Sequence, residues 1–159
     1  MLFSVIGNYS LFLGLFFGFV LFYFSVKNFR NSKVLDTKIL SFTFLQFFLV
    51  VISFLCLVLS FVVSDFSNET VFNNSHTTKP IFYKIAGTWG NHEGSLLLWL
   101  LVLTLFILIF LVRTKSQPVK YRVLTLVFQQ IIIIGFFLFL IKTSNPFNHI
   151  YPIPTEGLG

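Results

Sequence analysis

Four apolar runs, Tyr9–Val26, Ile39–Val63, Ser95–Val112 and Leu124–Ile141, dominate the chain, and none contains a charged side chain. A helix of about 20 residues, rising 1.5 Å per residue, crosses a hydrocarbon core of about 30 Å, so each run approaches or exceeds the length of a membrane span. Lipid offers the backbone no hydrogen-bond partner, so spans of this length close their hydrogen bonds internally as α-helices; the short alternating segments of a membrane β-barrel are absent. Composition agrees, with 56% hydrophobic and only 10% charged residues against the half-apolar, quarter-charged average of soluble domains. The first run reads as a retained span and not as a signal peptide, because no basic residue precedes it and its basic cluster follows it. The expected fold is an all-α integral membrane protein with four transmembrane helices arranged as two helical hairpins, a single membrane domain over residues 1–159.

Charge placement sets the expected orientation. Lys27, Arg30, Lys33 and Lys38 lie between the first two runs and Arg113, Lys115, Lys120 and Arg122 between the last two, against Lys79, Lys84 and Lys142 elsewhere: eight of the eleven basic residues. By the positive-inside rule both short connections face the cytoplasm or matrix, and both termini, an outer loop 64–94 and an outer tail 142–159 face the opposite compartment. The net charge of +6 is thereby read as topology anchors that meet anionic headgroups rather than as a nucleic-acid footprint. Cys56 is the single cysteine, which leaves no internal disulfide or CxxC pair. The abundance of Phe, Leu, Ile, Asn and Lys, residues favoured by A/T-rich codons, leans the address toward the mitochondrial inner membrane, with a bacterial inner membrane as the alternative.

The outer loop opens with SDFSNETVFNNSHTTKP, which lacks helical periodicity and is expected to be mobile. Its two Asn-x-Ser/Thr sequons carry meaning only in a secretory compartment. From Ile81 the sequence IFYKIAGTWG is apolar and aromatic enough to lie in the membrane interface, with Trp89 at headgroup level. Gly90 and Gly94 allow a tight turn, Asn91 or Ser95 can cap the helix that follows, and Glu93 suits its positive end. His92 is left over by this account; HEGSL lacks the second histidine of a zinc HExxH motif, and His76 and His149 lie far off in loop and tail. A hydrogen-bonding or partner-contact role for His92 is therefore favoured over ligation.

Within the spans the polar residues are Gln46, Thr104, Gln129, Gln130 and a few Ser and Thr, read as interhelical hydrogen-bond glue; Gln129 and Gln130 are also candidates to line a cofactor surface. No acid or base sits at depth, which argues against an independent pump or antiporter. Gly7, Gly14 and Gly18 mark a close-packing face on the first helix, whose partner the sequence does not name. After Lys142 the proline-rich TSNPFNHIYPIPTEGLG is expected to lie extended on the outer side.

The segment Thr88–Leu103, TWGNHEGSLLLWLLVL, joins Trp89, Gly90, Asn91, His92, Glu93, Gly94, Ser95 and Trp99 in one order and closely resembles the signature segment near the N-terminus of CcmF-type proteins, the haem lyase components of system I cytochrome c maturation. TSNPF, with Ser144, Asn145, Pro146 and Phe147, followed by PIPTEGLG, resembles the family stretch just after the fourth span. The resemblance implies a part in haem transport and in covalent attachment of haem to the CxxCH site of apocytochrome c, with haem delivered by a CcmE-type chaperone and the apoprotein presented by a CcmH-type partner. Haem is then a substrate of the complex. The family's tryptophan-rich WWD segment and haem-ligand histidines are missing here, so His92 is not assigned as a ligand by analogy, and no catalytic or metal-ligating residue is assigned to this chain. The expectation is an N-terminal subunit of a CcmF divided among several genes, completed by a polypeptide that carries the WWD segment. The alternative is a small structural subunit of a respiratory-chain complex.

Overall fold

A computed structural model describes residues 1–31, 35 and 37–159; Lys33 of the first basic cluster lies outside the described residues. Four long helices carry the fold: α1 (Leu2–Asn31), α2 (Thr37–Val62), α5 (His92–Arg113) and α6 (Val119–Thr143), with two short ones, α3 (Glu69–Asn74) and α4 (Ile81–Gly87), between α2 and α5. All four long helices are long and apolar enough to cross a membrane, and the described residues contain no strand, only an isolated bridge between Asn68 and His149. The helices outrun the uncharged sequence runs because polar residues at their ends find partners. Asn8, for example, accepts from Asn145 Nδ2 at 3.2 Å.

α1 packs on α2 and α6, α2 on α5, and α5 on α6, so the four close into a ring around one apolar core. Leu11 and Leu21, Val50 and Leu57, Leu97 and Ile107, and Leu126 and Phe137, one pair from each helix, are fully buried there. The glycine face of α1 finds its partners within this chain. A Cβ on Gly14 would stand 2.8 Å from Phe137 of α6, and one on Gly18 would stand 3.0 Å from the Gln46 amide of α2. Close approach of α1 is what the absent side chains permit.

The buried polar groups do the work expected of interhelical glue. Gln46 and Gln130, both fully buried, exchange amide hydrogen bonds: Gln130 Nε2 donates to Gln46 Oε1 at 3.1 Å and Gln46 Nε2 to Gln130 Oε1 at 3.4 Å. Ser53 donates to the Gly7 carbonyl at 3.1 Å, and Thr104 turns back onto its own helix at Leu100 O. Such bonds are worth about 0.6–2 kcal/mol each in a membrane.

Two expectations need correcting. The stretch read as a mobile loop is ordered by side-chain capping instead of periodicity: six residues are too few to display a 3.6-residue repeat, but Asn68 Oδ1 accepts from Val71 N at 3.1 Å and starts α3, while Phe66 and Val71 bury themselves in the core. Ser64, at φ 53°, takes the left-handed conformation that ends α2 and turns the chain toward α3. Arg122, counted among the headgroup anchors, is only 7% exposed; its Nη2 donates to Leu111 O at 2.7 Å, satisfying a carbonyl near the end of α5.

Candidate functional site

The start of α1, the end of α2, the start of α5 and the end of α6 meet at one end of the bundle, where α3, α4 and the tail form a cap. Two adjoining strips of chain lock it. Glu69 N donates to Asn148 O and Ile150 N to Ser67 O, both near 3.0 Å, across the Asn68–His149 bridge; further on, Leu158 N donates to Phe72 O at 2.8 Å. Asn68, fully buried, ties three elements together, because its Nδ2 donates to Ser4 Oγ at 3.1 Å and to Pro146 O at 2.9 Å while its Oδ1 caps α3.

The turn between α4 and α5 is built around Asn91. Its Oδ1 accepts from Gly94 N at 2.8 Å and its Nδ2 donates to Gly87 O at 2.7 Å, so one side chain satisfies the orphan donor that begins α5 and the orphan carbonyl that ends α4. Of the two candidate caps, Asn91 is the one used; Ser95 instead donates to Trp89 O at 2.7 Å. Gly94 is required here because a Cβ would fall inside the Thr88 carbonyl, whereas a Cβ on Gly90 would meet only ordinary contacts, the nearest at 3.4 Å. Trp89 and Trp99 are both exposed.

The second stretch is a plug. Asn145 Oδ1 accepts from Phe147 N at 3.0 Å, forming a local turn that drives the Phe147 ring, 1% exposed, over Gly7 of α1, which Cys56 of α2 also approaches. Between this plug, the turn and α3 opens a cleft of about 440 Å³. Asn91, His92 and Glu93 line it from the turn, Ser144 and Asn145 from the end of α6, and Glu69, Thr70 and Asn73 from α3. Trp89, Gly90, Ser95, Trp99, Pro146 and Phe147 are not among its walls. Among the described residues no group of three or more His, Cys, Asp or Glu side chains could hold a metal ion. His149 pairs through its backbone region with Asn68, and His76 stands 3.7 Å from Glu156 in the cap.

Curated proteins and a solved structure are similar to this chain. No protein-family model matches it. The cytochrome c-type biogenesis protein CycK of Rhizobium meliloti is 45% identical over 111 residues, 70% of this chain and 16% of that protein. The cytochrome c-type biogenesis protein CcmF of Escherichia coli is 40% identical over 117 residues, 73% of this chain and 18% of that protein. A solved structure titled cytochrome c heme lyase CcmF superposes with a TM-score of 0.81 at 26% identity, over 92% of this chain and 25% of the other. The chain belongs to the CcmF-type cytochrome c biogenesis proteins. It corresponds to an N-terminal piece of them and spans about a sixth of the length of these curated relatives. The alternative reading as a structural subunit of a respiratory complex finds no support among them.

In this CcmF-type chain the two stretches singled out from sequence, some fifty residues apart, both contribute walls of one cleft. The third wall, α3, went unrecognised because its residues sit in a polar stretch whose only sign of order is an Asn three positions before Val71 and followed by Glu69.

Proposed function

We propose that this chain is the N-terminal membrane part of a CcmF-type haem lyase, which joins haem covalently to apocytochrome c, and that the cleft lies on the side of the membrane where haem and apoprotein are handled. The convergence of the two family stretches on one polar cleft supports this reading most directly. The basic residues gather at the opposite end of the bundle, in the α1–α2 and α5–α6 connections, which supports two helical hairpins with both termini on the outer side. Composition supports a mitochondrial inner membrane, and the cleft then faces the intermembrane space.

Attachment requires peptide thiols to add across haem vinyl groups, and in this reading those thiols come from the apocytochrome. Cys56, the single cysteine, is buried in α2 and is not among the cleft walls, while His92 shares the cleft with Glu69 and Glu93. What the chain supplies is a wall. The remaining CcmF-type polypeptide, with the WWD segment and ligand histidines, completes the haem site, while a CcmE-type chaperone and a CcmH-type protein present haem and apocytochrome c. The exposed side chains of Phe106, Phe128 and Ile131 on α5 and α6 offer membrane-embedded surface for that neighbour or for lipid.

The test replaces cleft residues without touching the turn that holds them. His92→Ala combined with Glu93→Gln leaves the Asn91 cap and Gly94 in place; the expected outcome is a loss of covalently bound haem in cytochrome c with an unchanged amount of membrane-inserted chain. Equal losses of chain and holocytochrome would reduce these residues to helix-capping. Unchanged holocytochrome after deletion of the whole chain would end the haem-lyase reading.

A further inference from the structure

We infer that the cleft between α3, the Asn91–Glu93 turn and the end of α6 binds an extended polypeptide segment that carries lysine or arginine side chains. The inference rests on the haem-lyase reading only in taking this cleft as the working site; its chemistry follows from the walls.

Charge excludes half the candidates. Glu69 and Glu93 are the cleft's acidic groups, and no Lys or Arg among the described residues lines it, although the chain as a whole carries +6. Most of that positive charge sits in the two short connections at the other end of the bundle, so the two carboxylates set the sign of the cleft and draw cations to it. A phosphate or a propionate would face two carboxylates there with no basic side chain to offset them.

Shape and unused hydrogen-bonding capacity exclude a simple ion. The acids and His92 do not converge into a metal-binding set, but stand apart along a cavity of about 440 Å³, within the range of ligand pockets of about 300–1,000 Å³. Thr70 and Ser144 are 3% and 5% exposed, yet neither hydroxyl has a hydrogen-bond partner among the described residues or is sealed from solvent, so both open onto the cleft they line. The Asn73 and Asn148 side chains on its rim also lack partners among the described residues. Hydroxyls and primary amides both donate and accept, which is what a peptide backbone needs from a groove; carboxylates then select its cationic side chains. Ser75 and Thr88 also leave hydroxyls without a partner in the cap, but those are sealed from solvent and lie outside the cleft walls; Thr70 and Ser144 differ in lining the cleft, where a ligand can complete their hydrogen bonds.

The full chain in nanodiscs of zwitterionic phosphatidylcholine tests this by fluorescence anisotropy, with a labelled Gly/Ser peptide carrying several lysines and the same peptide with glutamates in their place. The lysine peptide should bind saturably and the glutamate peptide should not. Glu69→Gln with Glu93→Gln should weaken binding at least about tenfold, and Thr70→Val by a smaller factor. Equal binding of both peptides, no saturable binding, or a folded double variant that binds as well as the parent overturns the inference; should the double variant fail to fold, the comparison of the two peptides on the parent chain still decides. Holocytochrome c measured in cells lacking the chain separates the two claims. Peptide binding without any effect of deletion leaves the site standing and removes the haem-lyase reading, while a deletion defect without peptide binding does the reverse.

Discussion

The walls of the bundle and its cap are held by different physics. In the walls, apolar side chains cover both faces: Leu and Phe fill the core, and further Phe, Leu and Ile residues point outward, with Phe16, Phe44, Phe106 and Phe128 all exposed. Lipid is as apolar as leucine, so outward faces gain little by packing, and specificity falls to small residues and a few buried amides. In the cap the ratio reverses. Ser67, Asn68, Thr70, Ser75 and Thr88 are buried in a segment with few apolar anchors, and hydrogen bonds between strips of chain far apart in sequence set its shape. A wall tolerates many hydrophobic sequences; a cap of this kind depends on particular polar residues.

The sharpest way to break the comparison is at Asn68. Its replacement by Ala removes three side-chain hydrogen bonds and leaves Val71 N and Pro146 O without those partners, an expected loss of about 3 kcal/mol from the cap. Protease cleavage within 64–80 should rise strongly while the long helices stay protected; unchanged protection would mean that the apolar anchors Phe66 and Val71 hold the cap alone. The corresponding break in the walls is Gln46→Leu, which strands the Gln130 amide at depth at a cost of about 1–2 kcal/mol. The double variant Gln46→Leu with Gln130→Leu should recover most of that loss in detergent unfolding, because both polar groups are gone. No recovery would show that the pair contributes through shape and not through its hydrogen bonds.

A smaller effect is expected at the turn. Asn91→Ala should cost about 1 kcal/mol, and Asn91→Asp should recover part of it, since the carboxylate keeps the acceptor for Gly94 N but loses the donor to Gly87 O. Equal behaviour of the two variants would mean that the link back to α4, and not the cap of α5, is what matters. This contrast also explains what could be read in advance. The four long helices, the amide glue and the Asn91 turn were legible because length, apolarity and an Asn three residues before a Gly are local signals. The cleft was legible only in part: its turn and its α6 wall carried recognisable segments, but α3 is defined by contacts with Ser4 and Pro146, 64 and 78 residues from Asn68, and no local pattern encodes them. The burial of Arg122 was hidden for the same reason, since its Leu111 acceptor depends on how two helices meet.

The least energetic prediction separates cap from walls by pH. Glu156 sits in the tail, where Thr77 donates to its carboxylate from both its hydroxyl, at 2.6 Å, and its backbone N–H, at 2.9 Å, and Gly157 N adds a third bond. The Thr77 hydroxyl, its backbone N–H, the Gly157 N–H and the neighbouring His76 together hold the carboxyl below its ordinary 4.5, against a partial desolvation that acts the other way. A carboxyl depressed in the folded state stabilises its clasp above the unfolded value, and that contribution is lost as pH falls below 4.5 and through the lower folded value. Hydrogen exchange should therefore show residues 151–159 and Thr77 losing protection as pH falls from above 4.5 through the lower folded value, while the amides of α2, whose 37–62 span contains no carboxylate, keep theirs. Glu156→Gln should loosen the same segment at neutral pH and flatten its pH profile, since an amide keeps one acceptor oxygen and cannot titrate in this range. A tail whose protection is indifferent to pH in the parent chain would assign the clasp to Leu158 and Phe72, whose backbone bond spans the same two strips without any charge.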